Sequence, residues 1–410
     1  MSEQESFPDS SFKAQVDKVI AVQDYSPLRS CVRLIGISDK SFSNKLFNTD
    51  GGCQTYVIDL SWTDLLPRLL LDPRAWMSFS LRRRPLEMLE DVPPDIWLDI
   101  QFTKEIGETS SYAYEAFADS EPTYLSIKSV RFIVGPRVEP IAFGTAKPIQ
   151  ASTGSAAARL TAFHVGQGMC SLMEDGNDGY LLDAGAGTPV RRPIYRAGVK
   201  NSGGPFQNDL LPLIGALSLN AIVSHPDSDH WRLLDWDSTI LSKLTSVYLP
   251  AGQPALAFSS PAIKKKVIGI GDSNFSFSGG DSLEVRRSQP KVSDKNGECL
   301  VCVAYCGGKK ALMPGDYVYD RMAVDFNANI QAMRIGFFDA VVVPHHGDRA
   351  SASAIVSPRN PNLSVAFFSA GTHSGYGHPT TASLNAHRAK NFDIVDNHWY
   401  DDIIAKHLLP

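Results

Sequence analysis

The sequence predicts an α/β chain in two parts: a smaller, mainly β module over residues 1–157, then a domain over 158–410 with two β-sheets covered by helices on the outside. Three observations carry this expectation. Residues 1–150 hold short apolar or alternating runs punctuated by Gly, Pro, Asn and Asp. After residue 158, strand-like runs come in two successive series with helical candidates between them. Between the parts lies KPIQASTGSAAAR, a stretch of small residues that suits a linker and sets the boundary near residue 157.

In the first part the runs are DKVIAV, CVRLIGI, QTYVIDL, IWLDIQF and VRFIVG, and SWTDLLPRLLL predicts a helical turn. Arg82, Arg83 and Arg84 form a basic run that suits either an anionic partner or a solvated loop. In the second part the first series is LTAFHVG, CSLMED, GYLLDAG, NAIVSHP and SVYLP. The second series is DSLEVRRS, CLVCVAY, KKALMPGD, FDAVVVPHHG and LSVAFFSAG. NDLLPLIGALS and DYVYDRMAVDFNANIQAMRI predict helices, and no repeat of solenoid period is present.

Composition narrows the function classes. With 43% hydrophobic and 20% charged residues, 31 Gly and 26 Pro, the 410-residue chain is neither disordered, collagenous nor coiled coil, and can bury a core. A net charge of −5 excludes a generally basic nucleic-acid coat and leaves only a local groove. The first 150 residues carry 16 Lys+Arg against 21 Asp+Glu, so the acidic excess sits in the N-terminal module, a candidate surface for a protein partner. Six cysteines are too few for a disulfide scaffold. Cys299, Cys302 and Cys306 lie in one apolar run whose spacings divide them between the faces of a strand, so buried thiols are expected there and not ligands. The N-terminus has no apolar signal region and no run of 18 apolar residues occurs, which predicts a cytoplasmic protein without a membrane span.

The segment Ala221 to His230, AIVSHPDSDH, carries the chemistry. An apolar run ends and delivers His225, Asp227, Asp229 and His230, whose alternation turns side chains toward two adjacent points. Imidazoles beside carboxylates suit a pair of Zn²⁺ or other divalent transition-metal ions. The alternative is a polar loop that caps the following helix. Asp183, Asp316, His345, His346 and His378 also stand at the ends of apolar runs. Singly each fits turn chemistry; their joint occurrence does not.

In order and spacing, FHVGQG (163–168), LLDAG (181–185), SHPDSDH (224–230), LMPGD (312–316), VVPHHG (342–347) and YGHP (376–379) resemble the metallo-β-lactamase fold, and within it the soluble domain of ComEC-type DNA-internalisation proteins. The resemblance covers residues 158–410. It implies an αββα sandwich with a metal site at one edge of the two sheets. It implies that His225, Asp227, Asp229 and His230 form the HxHxDH ligand motif in its HxDxDH version, that Asp183 supports the ligands, that Asp316 is the bridging acid, and that His345 or His346 is the last ligand histidine.

The sequence also departs from the family pattern. Asp227 replaces the second histidine, which admits Mn²⁺ beside Zn²⁺. Trp231 and Arg232 replace two glycines, suggesting a narrower mouth or a stacking platform, and Met169 stands where Asp follows VGQG. No histidine lies between His230 and Asp316, so the third-motif ligand is missing, and His378 is a candidate substitute.

The expected function is metal-dependent hydrolysis of a phosphodiester, as in a nuclease or nucleotide phosphodiesterase, by a hydroxide shared between two ions. His378 or Tyr376 is expected to contact the leaving oxygen, and Arg191, Arg192, Arg196, Arg232, Lys264, Lys265 and Lys266 are candidates for a groove that follows nucleic-acid phosphates. The alternatives are a carboxylic ester, thioester or lactam hydrolase, and a binding or regulatory protein that kept the fold.

Overall fold

The computed structural model describes residues 6–25, 29–70, 89, 92–146, 156–291, 297–371, 376–396 and 399–410. The Arg82 to Arg84 run and most of the small-residue linker lie outside them. Two compact units divide the chain, the first of residues 1–140 with 254–265, the second of 141–253 with 266–410. The division thus falls at 140/141, short of the expected 157, and the segment Pro254–Lys265 returns to the first unit. There Thr55 Oγ1 donates to the Ala257 carbonyl and Lys264 Nζ to the Phe47 carbonyl, contacts that no local pattern encodes.

The first unit is mainly β. Strands β1 (Ser11–Val22), β2 (Ser30–Ile37), β3 (Tyr56–Ser61), β4 (Ile96–Lys104), β5 (Ser111–Glu115) and β6 (Thr123–Val134) close into an antiparallel barrel in the order β1-β2-β3-β5-β6-β4. Alternation decides what fills it: Val32 and Leu34, Tyr56 and Ile58, Leu98 and Ile100 point into one apolar core with Phe12, Phe102 and Ile127. The expected helix forms over Trp62–Leu70 and adds Leu65 and Leu69 to that core. On the opposite face, register sets Arg33 across from Asp59 and Asp59 across from Tyr112. The buried Arg33 guanidinium grips both Asp59 oxygens at 2.7 and 2.6 Å and reaches Asp24 at 3.2 Å, while Tyr112 donates to Asp59 at 2.5 Å.

The second unit is a two-sheet sandwich. One sheet holds β7 (Arg159–His164), β8 (Cys170–Glu174), β9 (Asp178–Ala184), β10 (Ser218–Ile222), β11 (Leu244–Pro250), β12 (Val267–Ile270) and the final strand β22 (Ile404–Leu409), in the order β12-β11-β10-β9-β8-β7-β22. The other holds β13 (Ser273–Ser276), β14 (Ser282–Arg287), β15 (Leu300–Cys306), β16 (Lys309–Met313), β18 (Ala340–Val342), β20 (Val365–Phe368) and β21 (Asp393–Asp396), in the order β13-β14-β15-β16-β18-β20-β21. A short pair, β17 (Phe337–Phe338) and β19 (Ser357–Pro358), lies apart.

Leu160, Met173, Tyr180, Leu182 and Ile222 of the first sheet meet Leu283, Leu300, Cys302, Met313 and Val342 of the second in the central core. On the outer face of the second sheet, Val301, Val303 and Val341 pack under Tyr319, Met322, Ile330 and Met333 from two short helices, Tyr319–Met322 and Ala328–Met333. Helices Arg192–Ala197, Arg232–Trp236 and Ser238–Lys243 pack together, the middle one also against β9. This is the expected αββα layering. Cys302 and Cys306 face the central core and Cys299 the outer one, all three as free thiols, and burial pushes Cys299 and Cys306 up to about 12. Among the described residues no helix is long and apolar enough to cross a membrane.

Candidate metal centre

Strands β9 to β12 run parallel, as do β16, β18, β20 and β21. Their carboxyl ends, where open α/β sheets place ligands, deliver the candidate residues. Asp183 ends β9, His225 to His230 follow β10, Asp316 follows β16, and His345 and His346 follow β18. Two glycines let the chain close up here. A Cβ on Gly185 would lie 1.7 Å from the Asp229 carbonyl oxygen, and one on Gly315, at φ 60°, 2.7 Å from Ser224. Asp183, His345 and His346 adopt left-handed backbone at φ 57°, 48° and 55°, a conformation uncommon outside glycine and concentrated at functional sites.

Asp316 stands at the centre, and its two oxygens face different neighbours. Oδ1 lies 3.3 Å from His230 Nε2 and 3.7 Å from His346 Nε2, which is itself 3.2 Å from Asp229 Oδ2. Oδ2 lies 3.8 Å from His225 Nε2 and 3.6 Å from His345 Nε2, and His225 Nε2 is 3.7 Å from Asp227 Oδ2. The sequence left open which of His345 and His346 joins the cluster; the structure brings in both, on opposite sides of one carboxylate.

Each of the four imidazoles has its other nitrogen engaged. His230 Nδ1 pairs with Asp183 Oδ2 at 2.9 Å, His346 Nδ1 with the Ser369 carbonyl at 2.8 Å, His345 Nδ1 with Asp348 Oδ2 at 3.0 Å, and His225 Nδ1 with Ser224 Oγ at 3.2 Å. Asp183 also accepts from Ser224 N and Oγ at 2.6 and 3.0 Å, so it orients His230 directly and His225 through the serine. With Nδ1–H donated to an acceptor, His230, His345 and His346 turn an Nε2 lone pair inward, the arrangement of metal-ligating histidines.

The donor set fits metal ions. His225 Nε2, His230 Nε2, His346 Nε2 and Asp316 Oδ1 are buried and make no hydrogen bond, a state that costs about 1–3 kcal/mol per group unless something else satisfies it. Two donors about 2.0–2.1 Å from one tetrahedral ion stand about 3.3 Å apart, close to the separations observed between these atoms. The electrostatics agree. Burial alone would lower the His230 pKa, but the carboxylates of Asp183 and Asp316 outweigh it and hold the imidazole well above its ordinary value. Burial alone would raise Asp316, but His230, His345 and His346 outweigh it and hold that carboxyl well below the usual range.

His378 stands beside this cluster. Its ring stacks on His346 at 6.3 Å and on Tyr376 at 5.5 Å, and its Nδ1 faces Gln167 Nε2 at 3.3 Å. Burial, then the neighbouring His346 and His345, push it down to about 3. His378 thus lines the site.

One expectation is corrected. Trp231 is fully buried and donates Nε1–H to the Pro226 carbonyl at 2.7 Å, so it is part of the wall and offers no platform. Of the candidate phosphate-tracking residues, Arg191, Arg192 and Arg232 are buried and Arg232 donates to the Ala186 carbonyl, Lys264 and Lys266 donate to backbone carbonyls, Arg196 is half-buried and Lys265 is exposed. Asp348, Ser224 and Ser369 are the site residues that the sequence analysis did not name. Asp348, three positions after His345, carried a side-chain signal; Ser369 contributes only a carbonyl and carried none.

The two sheets, the strand-end site and the ordered motifs of the second unit resemble the metallo-β-lactamase fold and, within it, ComEC-type domains. No family model matches the chain. Over 242 residues it is 25% identical to competence protein ComA of Neisseria gonorrhoeae, covering 58% of this chain and 30% of that protein, so the chain spans under a third of that relative's length. Among solved structures, Zn²⁺-bound PqqB of Methylobacterium extorquens matches at TM-score 0.33 and 12% identity, over 58% of this chain and 87% of that one. Tm1679, described as a metal-dependent hydrolase of the β-lactamase superfamily, matches at TM-score 0.34 and 11% identity, over 62% of this chain and all (100%) of that one.

Proposed function

We propose that the second unit is a metal-dependent hydrolase that cleaves phosphodiesters. The observation that carries this is the division of Asp316 between two sets of inward-turned imidazoles. His225, Asp227, Asp316 Oδ2 and His345 would hold one divalent ion; Asp229, His230, Asp316 Oδ1 and His346 would hold the other. The chemistry that such ions, Zn²⁺ or Mn²⁺, supply is water made reactive at neutral pH beside positive charge for a phosphoryl oxygen.

The chain's own residues do the rest. Asp183 fixes the tautomer of His230, the four histidines keep their lone pairs on one small volume, and buried walls exclude bulk water from three of them. Tyr376 and His378, stacked outward from His346, line the approach on the leaving-group side. A nucleotide or nucleic-acid substrate is supported by the resemblance to DNA-internalisation proteins and by the name of the competence relative. With Arg191, Arg192 and Arg232 buried, charge compensation for the phosphate would come chiefly from the metal positions themselves.

The test is turnover of bis(p-nitrophenyl) phosphate beside p-nitrophenyl acetate by the full chain loaded with Mn²⁺ or Zn²⁺. Phosphodiester turnover that a chelator removes and added metal restores is expected. Turnover of the ester alone would reject the phosphodiesterase reading, and turnover of neither would leave a binding protein.

A further inference from the structure

Resting on the metal-centre reading, we propose that Asp348 is a positioning residue that makes His345 a ligand and thereby sets the affinity of the more exposed of the two metal positions. The family's third-motif histidine has no counterpart between His230 and Asp316, so the position at Asp316 Oδ2 depends on His345 for its second imidazole. That imidazole is the least enclosed of the four. Its side chain is 32% exposed, against 0% for His225 and His230 and 1% for His346. Buried walls fix the other three rings. A ring with one open side turns between rotamers and tautomers unless a specific partner stops it.

Asp348 is that partner, and it is anchored from several directions. Its Oδ2 accepts from His345 Nδ1 at 3.0 Å, and its Oδ1 accepts from the Ser351 backbone N–H at 2.7 Å. Its carbonyl accepts from Ser351 Oγ at 2.7 Å, and that hydroxyl meets Ser383 Oγ at 2.6 Å on helix Thr381–Ala389. The His345 backbone N–H donates to the Gly315 carbonyl at 3.2 Å, next to Asp316. A carboxylate held through one oxygen by the Ser351 backbone N–H and through the other by the His345 Nδ1–H leaves Nε2 deprotonated and aimed at Asp316 Oδ2, as metal binding needs. The two positions are therefore unequal: the one at Asp316 Oδ1 is walled by buried ligands, and the one at Oδ2 is completed by a tethered, half-open histidine.

The substitution Asp348→Asn separates positioning from structure. Its amide oxygen can still accept from Ser351 N–H, which turns the NH₂ toward His345 Nδ1 and favours the tautomer that cannot ligate through Nε2. Ser351→Ala is the control, removing the tie to Ser383 while leaving the Asp348–His345 contact. Chelator-stripped full-length chains are titrated with Zn²⁺ in a calorimeter, with the thermal midpoints of the stripped proteins measured in parallel. The wild type is expected to take up two ions. Asp348→Asn is expected to bind one with wild-type affinity and the other roughly 10–100-fold more weakly, at an unchanged midpoint, while Ser351→Ala keeps both. Two ions at wild-type affinity in Asp348→Asn, or equal weakening in both variants, would overturn the proposal. A wild type that takes up no ion would instead overturn the metal-centre reading beneath it.

Discussion

His345 and His346, adjacent in the chain, approach opposite oxygens of Asp316: His345 Nε2 lies 3.6 Å from Oδ2 and His346 Nε2 lies 3.7 Å from Oδ1. Two successive side chains reach such divergent targets because both residues take left-handed backbone, at φ/ψ of 48°/44° and 55°/19°, inside a turn that follows β18. A single carboxylate thus becomes the shared wall of two potential ion positions. Asp316→Ala is expected to abolish both, and to lower hydrolysis by more than the roughly 100-fold that loss of an outer partner costs. Steady-state rates at saturating metal, with far-UV circular dichroism to show the fold kept, check this.

Asp183 tests the orienting role. Its φ of 57° suits Asn far better than Ala, because a short polar side chain tolerates the left-handed region. Asp183→Asn should therefore keep the backbone while presenting an amide to His230 and Ser224 in place of two carboxylate oxygens. Metal affinity by calorimetry should fall by roughly 10–100-fold. Unchanged affinity would remove Asp183 from the account.

The motifs were legible because their residues lie at strand ends, where a run of apolar side chains stops and a His or Asp follows at once. His225, Asp229, His230, Asp316 and Asp183 could be named for that reason. Barrel closure was not legible, since it depends on β1 pairing with β4 far along the chain, as in the register of Lys13 with Asp99, 86 residues apart. Nor was the edge position of β22, which pairs with β7 although His407 and Thr161 lie far apart in the chain. The expected long helix from Asp316 to Ile335 breaks because Asp325 accepts from the Asn327 and Gln289 N–H groups and Asn327 then caps a new helix. A count of Arg and Lys does not say which way they point: among the candidate basic residues Arg192 and Arg232 are buried, while Lys265 is exposed.

His387 provides a stability test independent of metal. Buried between Phe368 and Phe392, with Nδ1 at the Ser383 carbonyl and Nε2 at the Tyr319 hydroxyl, it is pushed down to about 4 by burial. An unfolded histidine titrates near 6.5, so the unfolded chain takes up the proton first as pH falls. Its contribution is full above pH ~6.5 and is lost progressively down to pH ~4, at most about 3 kcal/mol. Urea unfolding at pH 7.5 and pH 5 should show this loss, and His387→Gln should reduce the difference between the two.

In the barrel, Arg33→Ala would leave Asp59 buried without its bidentate partner. The expected cost is about 3–5 kcal/mol, read as a lower urea midpoint of the first unit's transition. A loss below about 1 kcal/mol would show that Tyr112 and the neighbouring strands satisfy Asp59 unaided.

The most direct test of the central claim is an anomalous difference map from a crystal of the full chain grown with Mn²⁺ or Zn²⁺. Two peaks flanking Asp316 are expected, one within reach of His225, Asp227 and His345, the other within reach of Asp229, His230 and His346. An empty map at Asp316 in the presence of excess ion, or peaks only at other residues, would contradict that claim.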